Sequence, residues 1–253
     1  ESIRRRDAPG TPAGRMIVRT SEVIVRSIAA DGLSGMPDRQ YDIYTDDLKL
    51  QPVWLDDVTE PDTGPSELPR EVDVLVIGAG YTGLSAAIET ARGGRSTLVI
   101  DAERAGWGCS TRNGGQISTS IKPTYEELCR LHGKEQAFRI AREGHEALDW
   151  ITGFIGSNGI DCDFVQSGRF HAAHNRTKFR KLVESIETQP KGLEVEADII
   201  ERSEQRRLLG TDSYWGGLVY PDHCSLHPAK YHKGLVETAR AAGVSIIPFC
   251  PAG

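Results

Sequence analysis

The stretch Val72-Asp73-Val74-Leu75-Val76-Ile77-Gly78-Ala79-Gly80-Tyr81-Thr82-Gly83 decides the fold. Val72 to Ile77 is an apolar run with one acidic interruption, short enough for a buried parallel strand. Tyr81 to Arg92 reads as a helix ended by Gly93 and Gly94, and Ser96 to Ile100 as a second strand. Strand, helix and strand within about thirty residues make one crossover unit of a parallel sheet. In the turn between strand and helix, Gly78 permits the sharp bend. Gly80 lets a pyrophosphate approach the backbone, and Gly83 lets the helix pack closely on the strand. The unpaired amides and positive dipole end of the helix then attract phosphate. Asp101 lies about twenty residues further on, at the end of the second strand, where a carboxylate accepts hydrogen bonds from ribose hydroxyls and disfavours a 2′-phosphate. The competing reading is a glycine turn of purely structural use, with Asp101 a solvated loop acid. Four features in the right order favour the dinucleotide site.

Composition limits the rest. At 253 residues the chain is long enough for one large or two ordinary domains, and 38% hydrophobic with 26% charged residues fits a globular protein. No run approaches the roughly 20 apolar residues of a membrane span. The net charge of −6 is spread along the chain and gives no footprint for nucleic acid. The 5 cysteines are scattered, and none are paired at two-residue spacing, which points to a reducing, cytoplasmic setting. Arg4, Arg5 and Arg6 are not followed by the unbroken apolar segment of an export signal.

Along the chain, residues 1–35 are polar and arginine-rich without a sustained period, and read as a disordered extension. The chain starts at Glu1 and its methionines are Met16 and Met36, so Met36 is the expected natural start. Residues 36–70 form an arm and linker punctuated by Pro61, Gly64, Pro65 and Pro69. Past Pro123, Thr124 and Glu127 are spaced as a capping box. Ala137, Ala141, Gly144, Leu148, Ile151 and Ile155 then mark one buried face of two helices broken near Gly133. Phe164 to His174 reads as a strand, Lys178 to Glu187 as a helix, and Ser203 to Leu209 as a short helix before a turn-rich Gly210 to Tyr220. Pro228 opens a last helix that Gly243 ends, and Val244 to Ile247 is a strand.

The turn and Asp101 do not separate NAD from FAD, since both present an adenosine and a pyrophosphate. The next loop does: Arg104-Ala-Gly106-Trp-Gly108-Cys109-Ser110-Thr-Arg112-Asn113-Gly114-Gly115-Gln116 packs glycines, hydroxyls and amides where an NAD enzyme starts another helix. Glycine puts no side chain between backbone and ligand, so such a loop can lay its amides along a flavin and its ribityl chain.

From Asp73 through Gln116 the sequence resembles the D-amino-acid oxidase superfamily of flavoproteins, and most of all its gamma-glutamylputrescine oxidase and glycine/D-amino-acid oxidase-like branch. The branch signature is matched at Arg104, Gly106, Gly108, Ser110, Arg112, Asn113, Gly114 and Gly115. The acid closing the second strand is usually glutamate in that branch and is Asp101 here, which makes the ribose contact longer or water-mediated. Gly168-Arg169-Phe170 and His227-Pro228 resemble later segments of the family.

The resemblance implies an α/β fold, with a Rossmann-like FAD-binding domain interleaved with an antiparallel-sheet α+β substrate domain, incomplete at the C-terminus. It gives residues 71–160 as the first FAD-binding segment, 161–225 as part of the substrate domain and 226–253 as the return towards the FAD domain. The expected FAD contacts are Gly78, Ala79, Gly80, Tyr81, Thr82, Gly83, Asp101, Ala102, Arg104, Gly108, Cys109, Ser110, Arg112, Asn113, Gly114, Gly115 and Gln116. The implied reaction is oxidation of a C–N bond of an amine or amino acid, with hydride to the flavin and electrons onward to dioxygen to give peroxide. A dehydrogenase using a quinone or carrier is the alternative acceptor reading, and an inactive nucleotide-binding fragment is the non-enzymatic one. No general base is named by the residues.

Other candidates are weaker. His223, Cys224 and His227 have metal-like spacings in a loop with no matching carboxylate, and read as turn residues. His171 and His174, near a strand end, read as surface or satisfied-core histidines. Cys109 is either a reactive site in the flavin loop or small buried packing, and Arg112 either a solvated charge or a ligand-facing one.

Overall fold

The computed structural model describes residues 16–17, 48–49, 51–64 and 67–253. The expected extension 1–35 and the expected start at Met36 lie outside those residues, apart from Met16–Ile17, which form strand β1 and pair antiparallel with β2, Glu71–Val72. The chain divides into two units, residues 1–113 with 228–253, and residues 114–227. Among the described residues no helix is long and apolar enough to cross a membrane.

In the first unit a three-stranded parallel sheet has the order β10 (Ser245–Ile247), β4 (Thr97–Ile100), β3 (Val74–Ile77). The central strand β4 is buried along its whole length. β3 is an edge strand, only half-buried, with Ile77 67% exposed. The buried strand read from its apolar run is therefore parallel but covered on fewer sides than a run of that kind predicts. The acidic interruption of the run has a partner: the Asp73 carboxylate accepts from the Ser96 amide at 2.9 Å and from the Ser96 hydroxyl at 2.8 Å. That pair aligns the starts of β3 and β4 and separates the short β2 from β3.

Helix α1, Tyr81–Arg92, buries Leu84, Ala87 and Ile88, while α5, Pro228–Ala241, buries Leu235, Val236 and Ala239 and packs against α1. Val72, Leu98, Ile100, Ile247 and Cys250 form a core cluster to which Leu68 and Leu75 add. Burying side chains of this size contributes about 1.5 to 3 kcal/mol each.

The second unit is built on an antiparallel sheet of order β6 (Arg169–Ala172), β8 (Gly217–Tyr220), β7 (Asp198–Ile200). A smaller pair joins β5 (Gln116–Ile117) to β9 (Cys224–Ser225). Helix α2 runs Tyr125–Ser157 and is interrupted at Gly133, whose φ of 77° is non-helical, so the expected break is there. Its capping box is also present: the Thr124 hydroxyl accepts from the Glu127 amide and the Glu127 carboxylate from the Thr124 amide. Helix α3 spans Arg176–Glu187 and α4 Arg206–Leu209.

The turn-rich reading of Gly210 to Tyr220 is corrected here, because its last four residues are the central strand β8. A Cβ on Gly217 would strike the His171 carbonyl, and one on Gly216 the Ile200 carbonyl. The glycine pair is needed for close backbone approach, and glycine in a strand reads from sequence as a turn.

Candidate functional site

The turn between β3 and α1 is fixed by backbone geometry. A Cβ on Gly83 would overlap the Gly78 carbonyl, so only glycine lets α1 start this close to β3. Gly80 is the N-cap of α1 and brings no side-chain cap of its own. The Ser110 hydroxyl, from the neighbouring loop, accepts from the Tyr81 amide at 3.0 Å. Amides of the first turn of a helix lack intrahelical acceptors, so those of Thr82 and Gly83 remain available to a ligand. A Cβ built on Gly78 or on Gly108 would meet nothing within 4 Å. Open space therefore lies before the turn and before the loop, as a dinucleotide laid along both requires.

Asp101 closes β4 and binds the turn directly. One carboxylate oxygen accepts from the Ala79 amide at 2.7 Å and the other from the Glu103 amide at 3.0 Å. Each oxygen keeps a further lone pair, so the carboxylate can still accept from hydroxyls. Ala102 follows it on the surface.

The loop from Arg104 to Asn113 is held by its own polar groups. The Thr111 hydroxyl donates to the Gly106 carbonyl at 2.6 Å, and the Asn113 amide donates to the Cys109 and Ser110 carbonyls at 3.1 and 3.0 Å. Trp54, from the preceding arm, donates its indole N–H to the Asn113 carbonyl at 2.9 Å. Arg112 folds onto its own loop: its Nε donates to the Trp107 carbonyl at 2.7 Å and its guanidinium lies 5.1 Å from the Trp107 ring centre. Arg104 faces Glu60 at 3.8 Å. Cys109, the first residue of a short 3-10 turn, is exposed, which overturns the buried-packing reading. Of the expected contacts, Gly78 to Gly83, Asp101, Ala102, Arg104 and Gly108 to Asn113 lie in the first unit, and Gly114, Gly115 and Gln116 in the second. There Gly115 is buried, its carbonyl accepting from the Leu226 amide at 2.9 Å, and Gln116 pairs with Ser225 in β5.

Sequence reasoning passed over His232, which is 2% exposed and lies 2.7 Å, through Nε2, from the Ala79 carbonyl. Burial, ahead of the opposing hydrogen bond to Ala79, pushes its pKa below the ordinary value. A signal was present, since His232 falls on the buried stripe of α5 between Ala229 and Leu235, where a polar side chain needs a partner.

The second unit contains a cleft of about 550 Å³. Asp149, Glu194, Glu196 and Asp222 line it with Tyr220 and His223, and among the described residues no lysine or arginine does. His223, stacked on Tyr220 at 4.7 Å, has its Nε2 3.2 Å from the Thr119 hydroxyl. Burial depresses its pKa. Among the described residues no group of three or more His, Cys, Asp or Glu side chains could hold a metal ion. His171 and His174 are exposed.

The family model described as DAO, FAD dependent oxidoreductase, matches residues 73–252. The chain is similar to the probable oxidoreductase OrdL of Haemophilus influenzae, 32% identical over 183 residues that make up 72% of this chain and 42% of the relative. It is also similar to the gamma-glutamylputrescine oxidoreductase of Escherichia coli, 30% identical over 171 residues, 68% of this chain and 40% of the relative. It thus spans about two fifths of the length of the curated relatives it matches. Among solved structures, glycine oxidase from Geobacillus kaustophilus superposes with a TM-score of 0.61 at 14% identity, over 70% of this chain and 46% of that one. L-amino acid deaminase from Proteus myxofaciens does so with a TM-score of 0.60 at 22% identity, over 76% of this chain and 41% of that one. These two structural likenesses concern the fold.

Proposed function

This chain belongs to the FAD dependent oxidoreductase family, and from that premise we propose that it holds FAD on the turn Gly78 to Gly83 and oxidises a C–N bond of an amine or amino acid. The observation that carries the reading is the strand, turn and helix in which Gly83 packs on the Gly78 carbonyl with open space before Gly78 and Gly108. In this reading the amides of Gly80, Thr82 and Gly83 receive the pyrophosphate and Asp101 accepts from the ribose hydroxyls. Ser110 stands beside the pyrophosphate, and the loop through Arg104, Gly108, Cys109, Arg112 and Asn113, continued by Gly114, Gly115 and Gln116, lays backbone along the flavin. Asp101 also orients the Ala79 amide, so one carboxylate serves both the turn and the ribose.

When bound, FAD supplies a two-electron acceptor for the substrate. The amine loses two electrons and two protons to become an imine, water hydrolyses the imine to a carbonyl compound and ammonia, and dioxygen takes up the electrons and protons as peroxide. The protein's part is to orient the amine and exclude competing reactions. We take an amine as the substrate class; within the second unit by itself, the four carboxylates of its cleft attract a cationic ammonium group rather than an anion. The name of the Escherichia coli relative, a gamma-glutamylputrescine oxidoreductase, supports the same class.

The test is a flavin titration followed by oxygen uptake and peroxide release with diamines, their gamma-glutamyl amides and zwitterionic amino acids. Binding of FAD with uptake on an amine is expected. Failure to bind FAD overturns the site, and oxidation of an amine with a quinone but never with oxygen overturns the acceptor.

A further inference from the structure

The amides of the turn divide into two kinds. Gly78 donates to the Ile100 carbonyl at 2.7 Å, Ala79 to the Asp101 carboxylate at 2.7 Å and Tyr81 to the Ser110 hydroxyl at 3.0 Å. Among the described residues no hydrogen bond is made by the Gly80 N–H. The C=O and N–H of a trans peptide point in opposite directions. Whatever grips the Ala79 carbonyl therefore sets where the Gly80 N–H points.

His232 grips it. A carbonyl only accepts, so Nε2 of His232 carries the proton of the 2.7 Å contact. The ring is confined on its other sides. A Cβ on Gly106 would come within 2.5 Å of Cε1 and 2.7 Å of Nδ1, so Gly106 leaves the space that the imidazole fills. The Tyr81 ring lies 6.4 Å away, and its hydroxyl donates to the Pro228 carbonyl at the start of α5, at 2.9 Å. Helix α5 is thus tied to the turn at two points. Those points are His232 to Ala79 and Pro228 to Tyr81.

We propose that His232 is a positioning residue for the cofactor: by holding the Ala79 carbonyl it turns the Gly80 N–H outward to meet the pyrophosphate. This rests on the FAD reading above. The competing account is that the ring only fills the space beside Gly106.

The two separate in an FAD titration of the purified protein, followed by flavin fluorescence, on the parent, His232→Leu and His232→Gln, with urea unfolding measured without FAD. Leucine fills the space without a donor, and glutamine restores an N–H. His232→Leu is expected to weaken FAD binding by about tenfold, the loss of one oriented amide. His232→Gln should recover most of that, with both urea midpoints close to the parent's. Parent-like binding by His232→Leu overturns the proposal, as does an equal loss in both variants that follows their urea midpoints. If His232→Leu does not fold, the nitrogen-15 shifts of the parent ring decide. Protonation on Nε2 supports the bond, and protonation on Nδ1 overturns it. A parent protein that binds no FAD counts against the functional reading instead, and the nitrogen shifts still test His232.

Discussion

Replacing Asp101 by alanine removes two charge-assisted hydrogen bonds at once, from the Ala79 amide at 2.7 Å and from the Glu103 amide at 3.0 Å. Hydrogen bonds to a charged group contribute about 1.5 to 3 kcal/mol each. Asp101 is half-buried, so water replaces part of the loss, and the lower end gives about 3 kcal/mol for the pair. For a domain of this size that lowers the melting temperature by about 6 to 12 °C. The same change removes the ribose acceptor and frees the Gly78–Ala79 peptide to turn, so FAD affinity should fall by about ten to a hundredfold. Asp101→Asn keeps one acceptor oxygen and should fall between. Thermal unfolding without FAD reads the first effect and flavin titration the second. An alanine variant with the parent's melting temperature would show that the two amides are satisfied by water. One with the parent's affinity as well would remove Asp101 from the ribose site.

The remaining changes probe other parts of the same reasoning. Gly83→Val should separate α1 from β3 and abolish FAD binding, because its side chain would occupy the Gly78 carbonyl; stoichiometric yellow flavin in the purified variant would refute it. Gly217→Ala should lower stability by about 1 to 3 kcal/mol by forcing β8 from β6, and an unchanged urea midpoint would refute that. Acid should destabilise the protein earlier than its carboxylates alone require. The buried His232 and His223 have folded pKa values below the ordinary 6.5, so their contribution is complete above about pH 6.5 and is lost as pH falls towards the folded values. Asp56, Asp62 and Glu127, whose carboxyls are also held low, lose theirs only at lower pH. Urea midpoints measured from pH 8 to pH 5 should decline below 6.5, with a shallower decline in His232→Leu. A flat profile in the parent would count against it.

What could be read from the sequence depended on whether a local pattern had one physical cause. The run before Gly78, the capping box at Thr124 and Glu127, the break at Gly133 and the helix from Pro228 each follow from neighbouring residues, and each is present. Strand β8 was hidden because Gly216 and Gly217 exist for the approach of two strands distant in sequence, Arg169–Ala172 and Asp198–Ile200, and nothing beside the glycines announces those partners. The same distinction divides the candidate site. Gly83 is legible because its reason, the Gly78 carbonyl, is five residues away in one turn. Gly106 matched a signature, but its reason is the ring of His232, far along the chain. Asp101 reads from the sequence as a ribose acceptor, whereas its bond to the Ala79 amide depends on β3 and β4 lying side by side. The partner of the next peptide, His232 at the Ala79 carbonyl, comes from the last helix of the chain. The turn is thus recognisable from its glycines alone, whereas the two side chains that hold Ala79, Asp101 at its N–H and His232 at its carbonyl, come from outside the turn.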